Sequence, residues 1–156
     1  MLNIRTVARK DIPTIRRFIL ELAEYEHLLE LVIADEERIE RALFAEQSAH
    51  AAIVEWEGEP VGHVIWFYNF STFLCLKGLY VEDVYIVPQM RGRGFGKAVF
   101  KYLAQIALQE NCGRVEWACL EWNKPSIAFY EGLGAQMMSD WRVFRLDRPA
   151  MEKLAE

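Results

Sequence analysis

The seven residues from Arg91 to Lys97, RGRGFGK, contain three glycines, two arginines and a lysine. Glycine weakens helices and strands alike, so three within five residues need a local reason. An apolar strand pattern, VEDVYIV, precedes them and an apolar helical pattern follows. At a helix N-terminus the first backbone N–H groups have no partner in the helix, and the dipole there favours negative charge. Bare glycine backbone lets phosphate oxygens reach such N–H groups, and arginine and lysine add charge-assisted contacts. A tight strand-to-helix turn without a ligand uses the same residues, and spacing alone leaves both readings open. Two phosphate loops are excluded. The Walker A pattern GxxxxGK[ST] fails at Arg91 and Ala98. The dinucleotide fingerprint GxGxxG fails at Lys97, where it requires glycine.

The elements that must carry this loop follow from hydrophobic period. LNIRTV alternates as a short strand. Asp11 is a candidate N-cap with Pro13 in the first turn, and Ile15, Phe18, Ile19 and Leu22 form a helical stripe to about Leu28. ADEERIERALF reads as a second, shorter helix. HAAIVEWEGEPVGHVIWFYNF reads as a hairpin turning at Glu57 and Gly58, and GLYVEDVYIVP as a strand stopped by Pro88. Phe95, Val99, Tyr102, Leu103, Ile106 and Ala107 recur at helical spacing up to Cys112 and Gly113. RVEWACLEW is a further strand, KPSIAFYEGLG a short helix, DWRVFRL a last strand, and the tail PAMEKLAE is helical. The expected order is β-α-α-β-β-β-α-β-α-β. That is an α+β (mixed α/β) fold in a single domain spanning residues 1–156, a mixed, mostly antiparallel sheet flanked by helices.

Composition bounds the setting. A chain of 156 residues, 53% hydrophobic and 26% charged, is long enough for one domain with a sizeable core. No uncharged apolar run approaches membrane-spanning length, and MLNIRTVARKDIP lacks an apolar signal segment, which argues against a membrane role. Cys75, Cys112 and Cys119 are odd in number and have no CxxC spacing, which points to a cytoplasmic protein without a metal site. The net charge of −5 and the shortness of the basic segment argue against nucleic acid as a partner. Charge is unevenly spread. Residues 21–46 hold nine carboxylates against Arg38 and Arg41, whereas no acid lies between Val84 and Gln109. Solvated acidic helix faces produce such a pattern, and so does an anion site with a cation site nearby.

Arg91, Gly94 and Gly96 spell R-x-x-G-x-G, which resembles the acetyl-CoA pyrophosphate loop of the GNAT N-acetyltransferase superfamily. The resemblance implies a GNAT-like fold with acetyl-CoA as co-substrate and no metal. Arg91, Gly92, Arg93, Gly94, Phe95, Gly96 and Lys97 would cradle the pyrophosphate, and the backbone of Val84, Tyr85 and Ile86 would pair with pantetheine. LEWNKPSIAFYEGLGA, residues 120–135, resembles the family segment N-x-x-[AS]-x-x-[FL]-Y-x-x-x-G-[FA]. It implies that Asn123, Lys124, Pro125 and Ser126 contact the cofactor and that Tyr130 lies near the thioester sulfur. A phenol there would donate the proton that the departing CoA thiolate needs. LAEYEHLLE, STFL, LYVEDVYIVPQMRGRGFG and WRVFRL are similar to the diamine (spermidine/spermine) acetyltransferases, including their thialysine branch. Relatives of that kind are commonly homodimers, so a homodimer is expected.

Such a reaction must free a lone pair on an amine whose ammonium pKa is about 10. A carboxylate can hold the cation, take its proton and place the nitrogen. On the resemblance Glu82 is the candidate base and Asp83 the neighbouring cation ligand, with Tyr25 and Glu26 from the first helix also touching the amine. Glu116, Trp117 and Ala118 complete the expected substrate set. Adjacent strand residues face opposite ways, so Glu82 and Asp83 can line one pocket only if the strand is bulged. Phe67, Tyr68 and Phe73 are either cover for a methylene chain or ordinary core. The loop MMSD lacks the length and acids of the corresponding loop in polyamine-acetylating relatives, and STFL and the tail MEKLAE look like the thialysine branch, which sets a lysine-like amine beside a polyamine as acceptor. Acetylation of a protein or peptide, and a non-catalytic acyl-CoA sensor, are the alternative functions.

Overall fold

The apolar runs of the first 120 residues become five strands of one sheet in the computed structural model, which describes residues 1–156. They are β1 (Leu2–Thr6), β2 (His50–Trp56), β3 (Glu59–Ser71), β4 (Leu76–Ile86) and β5 (Val115–Trp117), in that spatial order. The first four pair antiparallel, and β5 runs parallel to β4. Helices α1 (Ile12–Tyr25) and α2 (Glu36–Glu40) separate β1 from β2, and α3 (Phe95–Gln109) separates β4 from β5. Residues Met1–Leu120 form one compact unit, and Glu121–Glu156 form a second.

Strands covered on both faces read as continuous apolar runs, because neither side chain set meets water. In β2, Ala52 and Val54 join Val64, Trp66, Val81, Phe95, Val99 and Leu103 in a core on the α3 side. Ala51 and Ile53 join Ile12, Ile15, Ile39 and Ile65 in a second core on the α1 and α2 side. Phe18 and Leu103 are fully buried, and each such side chain stabilises the fold by about 1.5–3 kcal/mol. His63 is enclosed near Phe18 and Tyr85 with no partner for either ring nitrogen, and burial holds its pKa down to about 3. It is therefore a neutral packing residue.

Three local expectations change. Asp11 does not cap α1 with its side chain; it accepts from the Ala8 N–H at 2.8 Å and from both terminal nitrogens of Arg5 at 2.7 and 2.8 Å. A guanidinium fork outcompetes a helix N–H for a carboxylate. The strand expected over residues 114–122 pairs only at Val115–Trp117. The last expected strand does not form: residues 140–146 belong to no strand, and Val143 and Phe144 are 86% and 94% exposed. Aromatic and β-branched side chains favour a strand locally, but only a hydrogen-bonded neighbour completes one.

In the second unit, α4 (Lys124–Gly132) starts where Asn123 Oδ1 accepts from the Ser126 N–H at 3.4 Å, with Pro125 in its first turn. Helix α5 (Arg148–Ala155) takes up the tail, and Asp147 Oδ1 accepts from the Ala150 N–H at 2.9 Å.

Candidate active site

The glycine loop leaves β4 through a turn at Pro88–Met90, and α3 starts immediately after Gly94. Gly92 and Gly94 sit at φ +73° and +82°, and a Cβ on either would meet no atom within 4 Å. Their glycine requirement is thus conformational, a left-handed backbone beside open space. Gly94 is the N-cap of α3 and no side chain caps it; the Ala98 N–H bonds the Gly94 carbonyl at 3.1 Å. The N–H groups of Phe95, Gly96 and Lys97 consequently have no partner in the helix. The Phe95 ring turns inward onto Trp56, 5.3 Å between centroids, and anchors the helix start, while Arg93 and Lys97 are exposed. Free N–H groups, a helix dipole and two exposed cations make an anion cradle suited to a diphosphate.

The strand feeding this loop has an unpaired stretch. β5 pairs with β4 only at Leu79, Tyr80 and Val81, so from Glu82 to Ile86 the β4 backbone has a strand neighbour on the β3 side alone. The Val87 N–H bonds the Val61 carbonyl at 2.9 Å, which sets the phase of the antiparallel ladder. By alternation Tyr85 bonds toward His63, and Val84 and Ile86 direct their peptide groups away from β3. Val84 can pair with an extended ligand chain, and so can the Ile86 N–H, the Ile86 carbonyl already accepting from Arg91 Nε at 2.9 Å.

The bulge that the acid pair requires is present. Val81 pairs with Trp66 and Asp83 with Ile65, which leaves Glu82 as the extra residue. Val81 and Trp66 lie in the α3-side core and Ile65 in the α1-side core. Without the bulge, Val81 and Asp83 would share a face; with it, Asp83 turns toward α1. Glu26, the residue that ends α1, interacts with Asp83, as does Glu82. None of the three acids forms an ion pair. Burial, reinforced by Glu82 and then Glu26, pushes Asp83 up to about 7. Burial also raises Glu26. Carboxylates gathered without a basic partner favour a cation.

The other expected positions divide. Tyr25 stands at the end of α1 beside Glu26, under the guanidinium of Arg91 at 5.0 Å. Glu116 Oε1 accepts from Arg114 Nε at 2.8 Å, so a cation of the protein already holds it. Trp117 packs on Phe100, 4.7 Å between centroids, against α3, and Ala118 is exposed just beyond β5. Two neighbours escaped sequence reading. Tyr80 feels Glu82 and Glu116, and the Cys119 thiol is raised by burial and then by Glu26. No sequence signal marks Cys119, because the influence of Glu26 acts through space between residues far apart in the chain. In the second unit, Asn123 and Ser126 form the α4 cap, Lys124 and Pro125 open that helix, and Tyr130 lies further along it beside Phe129.

Similarity to known proteins defines its class. The acetyltransferase (GNAT) family matches residues 14–135, and the chain belongs to that family. It is an N-acetyltransferase with an α+β GNAT fold. The thialysine N-epsilon-acetyltransferase of Bos taurus is 35% identical over 97% of this chain and 96% of its own length. An L-ornithine N5-acetyltransferase of Arabidopsis thaliana is 27% identical over 97% of this chain and 87% of its own. Among solved structures, an integron cassette protein of V. cholerae superposes with a TM-score of 0.80 at 22% identity, covering 99% of this chain and 98% of that one. No helix here is long and apolar enough to cross a membrane.

Proposed function

We propose that this chain transfers the acetyl group of acetyl-CoA to the side-chain amine of a small, lysine-like substrate, and that residues 1–156 act as one domain. The observation that carries the reading is the bulge in β4, which turns Asp83 toward α1, where it interacts with both Glu82 and Glu26 and has no basic partner. The family match runs across the boundary between the two units, which supports a single working domain. The names of the relatives, for thialysine and ornithine, favour an acceptor with one terminal amine on a short chain. The same proposal includes a homodimer, on resemblance to the diamine acetyltransferases, and a cytoplasmic setting, on an odd number of cysteines without CxxC spacing.

The chemistry follows from the groups present. Gly92 to Lys97 hold the pyrophosphate, and Val84 and Ile86 pair with pantetheine. Glu26 and Asp83 hold the ammonium, and Glu82 takes its proton, directly or through a water. The freed lone pair attacks the thioester carbonyl, the C–S bond breaks as the C–N bond forms, Tyr130 gives its proton to the departing thiolate, and the surplus proton on the new amide nitrogen passes through water to the Tyr130 phenolate. Thiol release from acetyl-CoA across a panel of thialysine, lysine, ornithine, putrescine, spermidine and a lysine peptide tests the reading. Turnover on the lysine-like amines is the expected result; turnover on the peptide alone would refute it.

A further inference from the structure

We infer that Arg91, the arginine of the pyrophosphate motif, is a positioning residue for the amine site, which it secures through Tyr25. This rests on the reading that Glu26, Glu82 and Asp83 hold the amine. The Arg91 side chain does not extend over its own loop. The chain turns back at Pro88–Met90, where the Arg91 N–H bonds the Pro88 carbonyl, and Nε donates to the Ile86 carbonyl at 2.9 Å. The guanidinium thereby lies over Tyr25 at 5.0 Å from its ring centre and over Tyr85 at 5.7 Å. A planar, weakly hydrated cation on two aromatic faces is a favourable contact that a lysine does not reproduce in geometry.

The position of this contact matters because α1 ends there. Earlier turns of the helix are tied to β4 through Phe18, 5.6 Å from Tyr85, and Glu21 on the same helix acts electrostatically on the Tyr85 hydroxyl. The last turn is held to the end of β4 by Tyr25 under Arg91. Glu26 follows directly, and the backbone then leaves the helix through His27 at φ 60°. The distance from Glu26 to Asp83 therefore depends on where Tyr25 rests. A positive charge at a helix C-terminus also matches the dipole. Arg91 forms no ion pair, so its terminal nitrogens remain able to meet a phosphate while Nε stays on Ile86. One side chain then touches both the cofactor loop and the residue that positions the acceptor carboxylates.

Steady-state kinetics of Arg91→Lys, Tyr25→Leu and the double variant, on the amine that the wild-type chain turns over best, test this. Arg91→Lys keeps a cation for phosphate but loses the fork and the planar stack. Its KM for the amine should rise about threefold to tenfold, more than its KM for acetyl-CoA, with circular dichroism unchanged. Tyr25→Leu should raise the amine KM similarly, and the double variant should be little worse than either single one. A rise in the acetyl-CoA KM alone, or additive effects in the double variant, would overturn the inference. A wild-type chain inactive on every amine would overturn the functional reading and the inference with it.

Discussion

Two acidic clusters in the first unit use the same side chains to opposite ends. At the start of the sheet, Asp11 and Glu55 share Arg5: the guanidinium forks onto Asp11 at 2.7 and 2.8 Å, and its Nε meets Glu55 at 2.7 Å. Asn3 and the Ala8 N–H add further donors, and hydrogen bonding to Arg5 holds both acids below the usual carboxylate range. At the β4 bulge, Glu26, Glu82 and Asp83 have no such cation, and burial drives Asp83 to about 7. The first cluster is complete within the chain and stabilises the fold. The second has no cation of the chain beside it and costs stability when charged.

The largest expected effect that separates them belongs to Glu82. Glu82→Gln should lower turnover by about a hundredfold or more, most severely at low pH where the amine is hardest to deprotonate. Its melting temperature should stay near that of the wild type, and a turnover rate that survives would remove Glu82 from the base role. Arg5→Leu should do the reverse. Losing charge-assisted hydrogen bonds worth about 1.5–3 kcal/mol should lower the melting temperature by roughly 5 °C, with kcat per folded molecule preserved. A melting curve and an active-site titration would show whether it does.

The smallest effect is the most diagnostic in sign. Asp83 titrates near 7 in the folded chain and near 3.8 when unfolded, so the folded state binds the proton more tightly. Stability from this group is full below about pH 4 and is lost as pH rises through 7. Asp83→Asn should therefore raise the melting temperature by a few degrees at pH 8 and leave it unchanged at pH 4. Asp11 and Glu55, held low, contribute in the other direction: their stabilisation is present above their unfolded pKa values and is lost as pH falls below them. An Asp83→Asn chain that is less stable at pH 8 would show that the second cluster is held by the fold after all.

The sequence by itself determined the features that short-range chemistry controls. The left-handed turns at Gly92 and Gly94, the helix behind them and the Asn123 cap depend on a few consecutive residues, and all are local in the structure. The hairpin about Glu57 and Gly58 and the helical stripe of α1 were legible for the same reason. Tyr25 and Glu26 were reached by resemblance, since nothing near residue 25 announces a partner on β4.

Only the tertiary structure decided what depends on register and pairing. The bulge at Glu82 exists because Val81 is buried on the α3 side while Asp83 pairs with Ile65 on the α1 side, a conflict invisible within VED alone. β5 stops at Trp117, and residues 140–146 are rich in strand-forming side chains yet form no strand, because backbone pairing is a relation between segments. Arg91 was read as a phosphate ligand from its place in a motif, whereas its stack on Tyr25 depends on α1 ending beside β4. Side-chain type and spacing set which chemistry is available; packing sets which groups meet, because burial and charge act through space and not along the chain.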